Sequence, residues 1–256
     1  MIYLYDGTFE GLLCAVFKIY EDRALNADIL MADSYQQDHL FNDPVNVTYN
    51  ENNAKRVAAG LIKYTSPVIV NHLYRCWLSE QKNIERLILK YIQYVFSAKK
   101  DITTDYSNDA VLTLKKIDKQ IGREVHRMHA FVRFEHTQDD WYVASIQPDF
   151  NVIPLIGDHF KRRYADQKWI IYDSYRQSAV YYDLNEMNLA EMKFTRINKH
   201  GQINSEIHSA DEMKFQKLWK TYFDSVNIAE RKNTKLHVQH VPKRYWKLLS
   251  EKKIAL

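Results

Sequence analysis

Apolar residues recur at three- and four-residue spacing along most of the first half of the chain. After a short run, Ile2-Tyr3-Leu4-Tyr5, and a turn at Asp6-Gly7-Thr8, Leu12, Leu13, Val16, Phe17 and Tyr20 predict a helix from Phe9 to about Glu21. Ala27 to Met31 reads as a second strand, and the stretch from Asp33 to Asn50, rich in Asp, Asn and Gln, as irregular surface chain. Helical spacing resumes at Glu51 with Ala54, Val57, Ala58, Leu61 and Ile62 on one face. Ser66-Pro67 then supplies an N-cap and a first-turn proline for the next helix. Two more helices follow from the same pattern, Asn83 to Ser97 and Asp109 to Met128.

Beyond His129 the period drops to two. Ala130 to Glu135 and Trp141 to Ile146 predict paired strands joined through Gln138-Asp139-Asp140, followed by a helix over 154–164. A hairpin is expected from Trp169–Asp173 and Ala179–Asp183, and a further strand from Glu191 to Ile197. Ser209-Ala210-Asp211-Glu212 has capping-box spacing, and the helix it starts is expected to bury Phe215, Leu218, Trp219, Tyr222, Phe223 and Val226. Strands grouped after a run of helices indicate an α+β fold: an N-terminal strand and helical layer, then an antiparallel sheet with flanking helices and a basic C-terminal segment. No composition break divides it, so 1–256 reads as a single domain, with 1–128 and 129–256 as the natural subdivision.

Composition sharpens this picture in two places. The chain holds 6 Gly and 5 Pro but 18 Tyr among its 256 residues, so flexible linkers are scarce and half-polar packing surfaces abundant. The two cysteines, Cys14 and Cys76, form no Cys-x-x-Cys pair, which points to buried thiols in a reducing, cytoplasmic setting. Leu12 to Tyr20 is interrupted by Lys18 and too short to span a bilayer, so no membrane association is expected. Charge is lopsided: residues 214–256 carry 11 Lys and Arg against 3 Asp and Glu, an excess of eight, which leaves 25 against 29 in residues 1–213. A polyanion would be drawn to the C-terminal end.

The candidate chemistry follows that charge. Arg231, Lys232, Lys235, Lys243 and Arg244, interleaved with Tyr245 and Trp246, combine cations for phosphates with planar rings on which bases stack. Such a run equally serves to pin the C-terminus to the body through Tyr245 and Trp246. A second cationic group, Arg123, His126, Arg127, His129 and Arg133, sits at the predicted helix-to-strand junction, and Arg162 and Arg163 close the following helix. Arg123 and Arg127, four apart, suit a phosphate or carboxylate, or pairing with structural acids. His126, His129, Asp6 and Asp149 are the candidates if the protein is catalytic, since histidine with carboxylate runs acid–base chemistry near neutral pH. Asp6, like Thr8, is also an ordinary N-cap. Hydrolase, zincin and deaminase motifs are absent, and no spacing indicates a metal or cofactor. Pro148-Asp149 with Glu191-Met192-Lys193 only imitates a nuclease metal site.

Tyr5-Asp6-Gly7-Thr8-Phe9-Glu10-Gly11, Val125-His126-Arg127-Met128, Phe131 with Arg133-Phe134, Pro148-Asp149-Phe150, His159-Phe160 with Arg163-Tyr164, and Pro242-Lys243-Arg244-Tyr245-Trp246 together resemble a bacterial family of DNA-metabolism proteins. Its members are encoded beside a radical-SAM protein suspected of modifying or repairing DNA, and a similar domain occurs fused to a uracil-DNA-glycosylase-like domain. The resemblance implies a DNA-binding accessory role with DNA and that radical-SAM protein as partners. It carries over no catalytic residues. An enzyme acting on a nucleotide or damaged base, and a protein–protein adaptor, are the competing expectations.

Overall fold

The computed structural model describes residues 1–35, 43–195, 197–198, 201–225 and 238–253. They form two compact units, Met1–Gly122 and Arg123–Leu256, and the α+β class predicted from the sequence holds.

In the first unit, Ile2–Tyr5 (β1) runs into Phe9–Glu21 (α1) through a turn in which Thr8 Oγ1 accepts from Gly11 N at 2.9 Å. Asp28–Met31 (β2) returns parallel to β1, and Val45–Asn46 (β3) pairs parallel on its other side. The α1 crossover makes the β1–β2 pair parallel, because a tight turn cannot join parallel neighbours. Four helices follow, Glu51–Tyr64 (α2), Val68–Trp77 (α3), Ile84–Ala98 (α4) and Asp109–Phe131 (α5), of which α5 belongs to the first unit only as far as Gly122. Leu12, Ile19, Leu61, Leu73, Ile88 and Ile92 are buried together with Tyr3 and Tyr5. The predicted cap at Ser66 takes a different form, its carbonyl and not its hydroxyl accepting from Ile69 N. Cys14 and Cys76 are free and buried, as expected.

α5 departs from the expected pattern. The stretch predicted as a strand from Ala130 continues the helix to Phe131, with Val132 N still bonded to Met128 O. Ile121, Val125, Met128 and Val132 follow helical spacing as well as the alternation that suggested a strand, and packing of Met128 and Val132 into the core decides for the helix. The partner strand shrinks to Glu135–His136 (β4).

The second unit is built on a sheet ordered β4-β5-β6-β7-β8, with β5 at Tyr142–Ile146, β6 at Trp169–Asp173, β7 at Ser178–Tyr182 and β8 at Met187–Glu191. It is mixed, not antiparallel throughout. Ile153–Arg163 (α6) connects β5 to β6 as a crossover, and those two strands are parallel. β8 lies earlier than the predicted strand over 191–197, because an edge strand with Leu189 at 58 % exposure lacks alternating burial. α6 packs on the sheet through Ile153, Ile156 and Phe160, against Ile171, Val180 and Trp169. Gly157 permits the close approach: a Cβ there would lie 2.6 Å from Met187 Sδ and 3.0 Å from Val180 Cγ2.

The tail contains Glu212–Ser225 (α7), a 3-10 stretch Lys243–Leu248 and a terminal turn Ser250–Lys253. α7 does not bury the face the sequence predicts. Phe215, Leu218 and Tyr222 are more than half exposed, while Glu212 is buried, accepting from His136 N at 2.8 Å and from Gln216 Nε2 at 2.9 Å. That anchor rotates the apolar stripe outward. The Phe223 side chain and Val226 lie outside what the structure describes. Ser209 Oγ is buried without a partner, so the capping box is not closed by its hydroxyl.

Candidate nucleic-acid interface

The C-terminal end of α5 and the end of α6 meet in the second unit at His129 and His159, with His126, Arg162 and Arg163 close enough to act on the two rings. His129 from α5 and His159 from α6 stack with ring centroids 3.9 Å apart and planes 12° apart, and Phe160 meets both rings edge-on. Burial, then His159, His126 and Arg162, depress the His129 imidazolium to about 4; burial, then Arg163 and Arg162, lower His159. Both rings are therefore neutral at pH 7 and form an uncharged planar stack beside fixed guanidinium charge. His129 Nε2 is buried without a hydrogen-bond partner. Arg123, His126 and Arg162 are exposed and make no hydrogen bond or ion pair among the described residues. Arg163 lies against Tyr164, its guanidinium carbon 5.7 Å from the ring centroid.

Arg127 and Arg244 meet at a buried carboxylate that the sequence did not single out. Glu124 Oε1 accepts from Tyr245 OH at 2.7 Å and Asp149 N at 2.9 Å, and Oε2 accepts from Arg244 Nη2 at 2.8 Å with Arg127 Nη1 at 3.8 Å. Arg244 Nη1 reaches Asp149 Oδ2 at 2.5 Å. Arg176 holds the same loop from the other side, donating to the Pro148 and Asp149 carbonyls at 3.2 and 3.0 Å. Burial, reinforced by the Glu124 carboxylate, pushes the Tyr245 phenol far above its ordinary range. Asp149 is thus part of a structural ion network. Glu124 was legible in principle: it falls on the α5 stripe with Ile117, Ile121 and Met128, where a carboxylate needs an internal partner.

The remaining candidates separate. Arg133 donates from Nε and Nη2 to Glu251 at 3.2 and 2.9 Å and from Nη1 to Ala130 O at 2.8 Å, so its fork is spent on the C-terminal turn. Trp246 donates to Val241 O at 3.0 Å. Lys243 is exposed with no hydrogen bond or ion pair among the described residues. Arg231, Lys232 and Lys235 lie outside the described residues. Asp6 belongs to the first unit, where it accepts from Thr8 N at 2.9 Å and Thr8 Oγ1 at 2.7 Å as an ordinary turn carboxylate. Among the described residues no cluster of three His, Cys, Asp or Glu side chains is arranged to hold a metal, and no helix is long and apolar enough to cross a membrane.

Residues 82–251, well over half of the chain, match the family model of a domain of unknown function, DUF4130. No curated protein matches the chain.

Proposed function

The chain belongs to the DUF4130 family, and from that premise we propose that it is a DNA-binding accessory protein in DNA repair or modification, acting with a radical-SAM partner. The observation that carries the reading is the exposed, unpaired Arg162 of α6, together with Arg163, beside the stacked His129–His159 pair that joins α5 to α6. Guanidinium groups and planar rings at one surface suit a phosphodiester backbone with unstacked bases. The excess of eight positive charges in residues 214–256 adds long-range attraction, and Lys214, Lys217 and Lys243 are exposed members of it. The partner assignment rests on the sequence resemblance.

Filter binding of single- and double-stranded DNA to the whole chain tests this. If Arg123, Arg162 and Lys243 each neutralise one phosphate, affinity is expected to fall roughly twenty- to fortyfold between ~50 and ~200 mM salt. Arg162→Ala should reduce the salt slope by about one. Affinity indifferent to salt, or unchanged by R162A and K243A together, sinks the reading.

The outward apolar face of α7 favours a second reading, an adaptor that docks on a protein partner through Phe215, Leu218 and Tyr222. Under it, L218E with Y222E abolishes co-purification with the radical-SAM protein implied by the resemblance and leaves DNA affinity intact. A complex that survives both substitutions removes it.

A further inference from the structure

The first unit contains a cleft that neither the family description nor the nucleic-acid reading addresses. It lies between α3 and α5 and encloses about 340 Å³, within the size range of small-molecule sites. Each helix presents the same spacing to it: Val68, His72 and Arg75 from α3, and Val111, Lys115 and Asp118 from α5. Tyr91 of α4 is buried behind it, and Thr103 from the α4–α5 connection completes the wall.

The charges are arranged unevenly. Arg75 Nε sits 2.8 Å from Asp118 Oδ1, and His72 Nδ1 approaches Asp118 Oδ2 at 3.7 Å. Arg75 Nη2 reaches the Asp118 carbonyl at 3.5 Å, which leaves Nη1 without a partner among the described residues. Lys115 is exposed and forms no ion pair among them. One carboxylate therefore shares the cleft with two permanent cations, and its ion pair with Arg75, whose buried Nε makes no hydrogen bond, together with the Nη2 contact to the Asp118 carbonyl restrains the guanidinium. Pre-fixing an arginine in this way reduces the ordering cost of receiving an anion.

Thiol chemistry is excluded. Cys76 stands 4.0 Å from His72 Nε2 and so imitates a Cys-His-Asp series, but it is fully buried, its thiol donates to Leu114 O at 3.4 Å, and burial pushes it up to about 12. It is wall, and the cleft is left with a binding role.

We propose that this cleft is a binding site for a small organic anion, whose carboxylate or phosphate lies between Arg75 and Lys115 and whose apolar body rests on Val68, Ile69 and Val111. The site shares no residue with the α5–α6 surface and stands or falls independently of DNA binding.

The probes are benzoate, phenyl phosphate and inorganic phosphate, titrated into the ¹⁵N-labelled whole chain and followed by amide shifts. Saturable shifts are expected at 66–75 and 111–118 with at least one aromatic anion, and weaker binding of inorganic phosphate. Arg75→Ala strands Asp118 and risks misfolding, so the deciding variants are Lys115→Gln, expected to weaken binding about tenfold, and Val68→Trp, placed at a two-thirds exposed position to fill the cleft. No saturable shift with either aromatic anion, or binding indifferent to both variants, overturns the site. Inorganic phosphate binding as tightly as phenyl phosphate overturns the apolar subsite.

Discussion

The stacked histidines couple the second unit to pH in a way their sequence positions do not advertise. His129 is held near 4 in the folded chain against an ordinary value of 6.5, so the unfolded chain binds its proton first as pH falls. The stability contributed by the neutral ring is fully present above about pH 6.5 and drains away as pH drops toward 4. His159, lowered by the same burial and by Arg163 and Arg162, works in the same direction. Thermal melts at pH 7 and pH 5 should show a lower midpoint at pH 5, and His129→Phe should shrink that difference. A variant with the same pH dependence as the parent would place the effect elsewhere. Carboxylates such as Glu251, kept low by Arg133 despite burial, lose stability only below the ordinary carboxylate range, so they do not mimic this window. Single residues were read unevenly from the sequence. His126, Arg123 and Arg162 stand exposed, whereas Arg133, Arg244 and Tyr245 are engaged with Glu251 and Glu124. Which carboxylate a given arginine meets across more than a hundred residues is set by tertiary packing, and spacing does not encode it.

Among elements, α6 shows how tightly helix and sheet are fitted. Replacing Gly157 by Ala removes a helix-interior glycine, worth roughly 1 kcal/mol of propensity. The new methyl would nevertheless meet Val180 Cγ2 at 3.0 Å and Met187 Sδ at 2.6 Å. Overpacking of this kind costs about 1–3 kcal/mol, so the net effect is expected to be destabilising and visible as a lowered denaturation midpoint. A midpoint that rises would mean that Met187 moves aside freely. The long periodic helices were legible because four or more apolar positions recur in each. The ends were not: at Ala130 the helical and alternating patterns coincide, and only the burial of Val132 distinguishes them. α7 failed for a different reason, its apolar stripe being overridden by the hydrogen bonds that draw Glu212 inward.

For the whole molecule, the α+β class followed from the order of elements, while the parallel pairs β1–β2 and β5–β6 follow from the crossovers α1 and α6. Strand periodicity carries no sign of strand direction, so an antiparallel sheet was the natural but incomplete expectation for the second half. The cleft between α3 and α5 was invisible for a related reason, since its two stripes are about forty residues apart and each alone resembles an ordinary half-polar helix face.

The packing of α4 in the first unit bears on how the family segment can be handled in isolation. The matched stretch starts at residue 82, just ahead of α4, yet α4 packs against α2, α3 and β2, all encoded before it. Cutting the chain at that boundary would bare Ile88, Ile92 and Val95, now fully covered, to water. A fragment of residues 82–251 is therefore expected to aggregate or to bind a hydrophobic dye strongly, where the intact chain stays monodisperse on gel filtration. A monodisperse fragment with native-like amide dispersion would show that the segment supplies its own cover. The family boundary marks sequence recurrence, and the boundary of independent folding lies elsewhere along the chain.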